Sequence, residues 1–162
     1  MTASSPTRYF AKPQLQTLLD ELRAATAVHA APAQLQAAEA ARWIASFPFP
    51  DFEQPYEFVS LSHPDEYPMN EGDIVSSHGL RIPVTEYDRH FMEEHVAHST
   101  AFHAVRRDRR TPYFLGPLAR VNLHRDRLFP TAKRLADEVN FPTHCRNPFQ
   151  SIIARSLELL HA

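Results

Sequence analysis

The chain has 162 residues, 43% of them hydrophobic and 22% charged, which fits an ordinary soluble domain with room for a sizeable core. Seventeen basic residues face nineteen acidic ones, a formal charge of −2 that gives no reason to expect a polyanionic partner. A single cysteine, Cys145, excludes a disulfide framework and any four-cysteine zinc or iron–sulfur site made by this chain alone.

Only three glycines are present, each isolated, so neither a GxGxxG fingerprint nor a P-loop can be written. Fourteen prolines mark many rigid bends. No apolar run approaches the roughly 20 residues of a membrane helix. Met1 to Pro6 lacks the charged and apolar regions of a signal peptide, so no leader is expected.

Residues 12–47 read as an Ala-rich helical hairpin. Pro13 opens the first helix, Leu15, Leu18, Leu19 and Leu22 keep its period, and Pro32 divides the pair. The second helix is expected to bury Ala40, Trp43, Ile44 and Phe47 on one face, and to stop at Pro48 and Pro50. Residues 48–84 read as an extended segment and a hairpin. Tyr56 to Leu61 is a strand candidate, and Ile74-Val75 and Leu80-Arg81-Ile82 flank a turn of Ser76-Ser77-His78-Gly79.

Residues 85–162 read as helices around a Gly116-Pro117 turn. Thr85 and Asp88 resemble a capping box opening a helix over Glu86–Val96, with Tyr87, Phe91 and His95 aligned. Asp126 is expected to cap a helix carrying Leu128, Ala132, Leu135, Ala136 and Val139, ended by Phe141-Pro142. Asn147 and Pro148 open the last helix as N-cap and N1. Its apolar face is Phe149, Ile152, Ile153, Leu157 and Leu160. That period runs to the end with no stop signal, which fits either a terminal helix that simply ends or a longer helix cut short. An apolar stripe is then expected to stand exposed, and the isolated chain to self-associate.

Ten histidines invite a metal reading. His90, His95, His98 and His103 lie close together with Glu93 and Glu94, but HExxH needs histidines four apart, and His90 and His95 are five apart. Glu-x-x-His fails too, since Val96 and Ala97 stand three residues after the two glutamates. These histidines are expected to be solvated or hydrogen-bonded rather than convergent. The basic run Arg106–Arg110 reads as a solvated loop. His144 and Cys145, as sequence neighbours, point apart and form no catalytic pair. Asp65 and Glu66 sit in a Pro-rich loop with nothing to fix a partner. Taken residue by residue, the chain is α+β, helix-dominated, with no self-contained active site: no catalytic, cofactor-binding or metal-binding residue is assigned.

Several segments nevertheless resemble the large (alpha) subunit of cytoplasmic nickel–iron hydrogenases of the NAD(P)-linked and sulfhydrogenase-like branch. They are Phe49-Pro50-Asp51-Phe52 leading into Tyr56-Glu57-Phe58-Val59, His63-Pro64-Asp65-Glu66-Tyr67-Pro68, Asn70-Glu71-Gly72 and Ile74-Val75-Ser76-Ser77. Then come Gly116-Pro117-Leu118-Ala119-Arg120-Val121-Asn122-Leu123, Cys145-Arg146-Asn147-Pro148-Phe149-Gln150-Ser151-Ile152 and Arg155-Ser156-Leu157-Glu158. Together they follow the family order and spacing over roughly residues 8–162.

The resemblance implies the middle of that subunit: a single partial domain, 1–162, with part of the hydrogenase fold and a small antiparallel sheet or hairpin. In the family, nickel and iron are held by cysteines of an RxCGxC and a DPCxxC motif. Neither motif occurs here, so no family catalytic residue carries over, and the expectation is that this chain alone binds no nickel–iron centre. The implied role is scaffold, inactive alone, in the cytoplasm. The implied partners are the remaining large-subunit segments and an iron–sulfur small subunit, without nucleic acid or membrane. Two other readings stand beside it: a free-standing interaction module derived from a hydrogenase, and a histidine-based metal-binding domain.

Overall fold

The structure, a computed structural model, describes residues 35–162. The first helix of the Ala-rich pair and the break at Pro32 lie outside the described residues. Helix α1 covers 35–45 and ends in a turn before Pro48. Its buried face differs from the expected one. Ala41 is fully buried, and Ala38, Ile44 and Ala45 pack beside it on the main core. Ala40, Trp43 and Phe47 face outward. The small alanines permit close approach to the core, whereas the large rings pack edge-on against each other outside, 4.9 Å between centroids.

Residues Ala37–Ala162 form one unit of mixed α and β structure. A three-stranded antiparallel sheet has the order β1 (Val59–Ser62), β2 (Asp73–Ser76), β3 (Arg81–Ile82). Ser60 pairs with Val75 and Leu61 with Ile74, and Ile74 pairs with Ile82. The β2–β3 turn is the one expected. Gly79 takes φ +88°, and its N–H donates to the Ser76 carbonyl at 3.1 Å. The Ser76 hydroxyl also accepts from the backbone of His78 and Leu80.

The expected helix over 86–96 is not formed. Only one turn, α2 (Tyr87–His90), is helical, and neither it nor the 3₁₀ turn before it has a side-chain cap. The chain then turns extended as β4 (Phe91–Glu94), paired antiparallel with β5 (His103–Arg106). Phe91 is what wins. Its ring is buried, stacked on Tyr87 at 5.0 Å and set edge-on to Tyr113 at 4.9 Å. That packing and four cross-strand pairs outweigh the weak helix preference of the segment.

Three helices complete the unit: α3 (Pro117–His124), α4 (Pro130–Glu138) and α5 (Ser151–His161). Pro117 and Pro130 stand in the first turns of α3 and α4. Asp126 is not the cap of α4. It lies in a 3₁₀ turn, Leu128 is buried in extended chain, and Phe129 takes the N-cap position. The helix closes through Asn140 at φ +53°, with the Phe141 N–H returning to the Ala136 carbonyl at 2.8 Å. Asn147 makes the expected cap, its side chain accepting from the Phe149 N–H, but on a 3₁₀ turn, Pro148–Gln150, that leads into α5.

Helix α5 packs on both α3 and α4, which buries Ile153, Ala154, Leu157 and Leu160 against Leu118, Val121 and Leu135. The expected exposed stripe is therefore corrected. Only Phe149 and Ile152 of the five apolar residues named for that helix remain exposed. Each large side chain buried there contributes about 1.5–3 kcal/mol. Among the described residues no helix is long and apolar enough to cross a membrane.

Candidate functional site

The first sheet, the α2–β4 junction and the start of α3 line a half-open pocket of about 300 Å3. Its walls are mainly apolar: Val59, Leu61, Ile74, Phe91, Tyr113 and Leu115. Three polar features reach it. The Tyr87 and Tyr113 hydroxyls lie 3.3 Å apart, and burial pushes the Tyr113 phenol well above its ordinary value. Arg120 and Ser60 supply the other two.

Arg120 rises from the first turns of α3 and meets Glu158 of α5. The guanidinium donates from Nε at 2.6 Å and Nη2 at 2.7 Å to the two carboxylate oxygens. The Tyr67 hydroxyl donates to the same carboxylate at 2.7 Å. Glu158 is nearly fully buried, and this fork supplies the hydrogen-bond partners a carboxylate needs there. Burial first, then the hydrogen bond to Glu158, lifts the Tyr67 pKa far above the usual phenol range. Tyr67 is a fixed donor at neutral pH.

Ser60 and His124 form a buried polar pair, Oγ to Nε2 at 3.1 Å. A serine beside a histidine suggests a nucleophile and its base. The hydrogen bonding argues otherwise. The Ser60 hydroxyl donates to the Leu61 carbonyl at 2.8 Å, so Nε2 is assigned the proton that reaches Oγ. Burial lowers the His124 pKa. The pair joins β1 to α3 rather than activating a hydroxyl.

A second buried ion pair lies across the sheets. Arg106 Nη1 meets Glu57 at 2.5 Å, and Nη2 meets Asp108 at 3.2 Å. The guanidinium stands 5.5 Å from the Phe91 ring centre. The reading of Arg106–Arg110 as a solvated loop holds for residues 107–110, which form an exposed turn, and is corrected at Arg106. Arg106 is a buried strand residue, Arg107 donates to the Asp88 carbonyl, Arg109 pairs with Asp108, and Arg110 pairs with Glu94. Each guanidinium has a protein partner, so the run does not converge on an anion.

The other sequence candidates are spread out. Asp65 and Glu66 are exposed on their loop. His144 is exposed while Cys145 is buried, and the thiol lies 3.3 Å from Gln150 Oε1. Burial raises the Cys145 pKa. His90 stands 4.0 Å from Glu86, His95 packs on Phe102, and His98 faces His103. Among the described residues no group of three or more His, Cys, Asp and Glu side chains is placed to hold a metal ion. The donors do not fit a nickel–iron centre. Such a centre takes several thiolates, and this chain offers one buried thiol held in its protonated form.

Sequence reasoning missed the Arg120–Glu158–Tyr67 joint. One signal was available. Glu158 stands one turn from Ala154 on the buried face of α5, a charge where an apolar residue is expected. No family model, no curated protein and no solved structure matches the chain.

Proposed function

We propose that this chain is the middle segment of the large subunit of a cytoplasmic nickel–iron hydrogenase, of the branch that couples hydrogen to a soluble electron carrier. The whole enzyme would oxidise hydrogen reversibly at a metal centre built from other segments. This chain's part is scaffold, and alone it is inactive. Its partners on this reading are the remaining large-subunit segments and an iron–sulfur small subunit.

One observation supports it above the rest: five of the segments that carry the resemblance are hydrogen-bonded to one another across the chain. Tyr67, Arg120 and Glu158 come from three of them and share one carboxylate. Asn122 donates to the Cys145 carbonyl at 2.8 Å and accepts from its N–H at 2.7 Å, tying a fourth to α3. Asn147 donates to the Pro50 carbonyl at 2.7 Å, which brings in a fifth. The polar residues of the motifs serve as joints between distant stretches, which is what a scaffold requires.

The test has two arms. DNA on either side of this frame is read for RxCGxC upstream and DPCxxC downstream, and the purified chain is assayed for nickel and hydrogen uptake. Both motifs, with no tightly held nickel and no uptake, are the expected result. Stoichiometric nickel resistant to mild chelation would overturn the scaffold role. Flanking DNA that encodes neither motif would favour the second reading, an interaction module derived from a hydrogenase. The burial of the α5 apolar face within this chain is the observation on that side.

A further inference from the structure

The β4–β5 hairpin carries a feature that neither the buried joints nor the hydrogenase reading uses. His103 opens β5 as the cross-strand partner of Glu94, and His98 lies in the loop between the strands. Both side chains belong to exposed residues. Their rings meet edge to face, with centroids 5.5 Å apart and planes at 77°. The loop is pinned by Ser99. Its N–H reaches the Val96 carbonyl, and its hydroxyl accepts from the Ala101 N–H at 3.1 Å. The turn thus fixes the backbone beside His98 on the side of the loop that meets His103.

We infer that His98 and His103 form a two-imidazole site for a borderline divalent transition ion, Zn2+ or Cu2+, with water completing the coordination. The spacing is the argument. Zinc–nitrogen bonds of about 2.0–2.1 Å at a tetrahedral angle put two ring centres about 5 Å apart. The observed centroid separation of 5.5 Å is close to that, and rotation of the two exposed side chains out of their edge-to-face contact would turn one nitrogen of each ring to a shared ion. Neutral imidazole suits zinc, copper and nickel, and is a poor ligand for calcium or magnesium. No third protein ligand is counted. Glu94 is taken by Arg110, and the His95 ring packs against Phe102 at 4.2 Å. The site is therefore open, with positions free for water or for a donor from another molecule.

The sequence alone hid this pair. Five residues separate the two histidines, a poor spacing on a helix. On a hairpin the same residues face each other across the turn.

The test is calorimetric titration of the purified full chain with ZnCl2, repeated with CuCl2. Wild type is expected to take up one equivalent at this site. His98→Ala and His103→Ala should each weaken that binding by about tenfold or more, since even outer-sphere partners of a metal ligand are worth about 10–100-fold. His63→Ala, far along the chain, should leave it unchanged. All three positions are accessible enough for the variants to fold, which an unchanged melt without metal will verify. Wild type that binds neither ion overturns the inference. So does a His98→Ala/His103→Ala double variant that binds as wild type, or a loss that follows His63 instead.

Discussion

Replacing Glu158 with alanine is the most direct probe of the joint between α3 and α5. The carboxylate is 7% exposed and neutralises Arg120, which is 24% exposed. Breaking a buried pair from one side costs about 3–5 kcal/mol, because the other charge is left in the protein. Arg120's partial exposure lets water recover some of that. The Tyr67 hydroxyl loses its acceptor as well, a cost of about 1–3 kcal/mol. A net loss of about 4 kcal/mol is expected. For a chain of this length that lowers Tm by about 10 °C. The assay is thermal and urea unfolding followed by circular dichroism. A double variant, Arg120→Met with Glu158→Leu, separates charge from packing. It should be more stable than Glu158→Ala, since neither charge is then buried alone. A single variant within about 3 °C of wild type, or a double variant worse than the single, would refute this account of the joint.

Four further outcomes are expected. Burial lowers the pKa of both His124 and His161, so the unfolded chain binds more protons than the folded one just below the ordinary imidazole value. Stability should fall as pH drops from about 7.5 to about 5.5, and His124→Gln should flatten that slope in a Tm-against-pH series. Gly72→Ala should destabilise by at least about 1–3 kcal/mol, because φ is +134° there and an added Cβ would meet the Ser62 carbonyl oxygen at 2.3 Å; urea unfolding reads it. Cys145 should react slowly with a thiol reagent in the native chain and at once in denaturant, since its thiol is buried. Glu57→Gln should destabilise by about 1–3 kcal/mol, because buried Arg106 keeps only the exposed Asp108 as a charge partner, seen as an earlier urea midpoint.

What could be read in advance follows the reach of each signal. The Ser76–Gly79 turn and the Asn147 cap depend on a few adjacent residues, and both formed where expected. The helix expected over 86–96 failed because Tyr87 and Phe91 are spaced for a helix, while the partner strand lies about ten residues further along. Two start signals competed before α4. Pro130 fixed the first turn itself, which left Asp126 outside. On α1 the apolar count was right but the face was not, since alanine and tryptophan both read as core and only the shape of the core decides between them. The joint is invisible in the same way. Arg120 and Glu158 stand 38 residues apart, and nothing local links them.

The reciprocal bonds between Asn122 and Cys145 have a kinetic consequence. A carboxamide presents a donor and an acceptor side by side, as a peptide group does, so Asn122 acts as a one-residue strand for a stretch that has none. The Cys145 amide hydrogen should then exchange with solvent as slowly as those of the α3 interior, although it lies outside any helix or strand. Deamidation at Asn122 would set a carboxylate oxygen against the Cys145 carbonyl. A change of one atom on α3 would thereby release the loop that feeds α5.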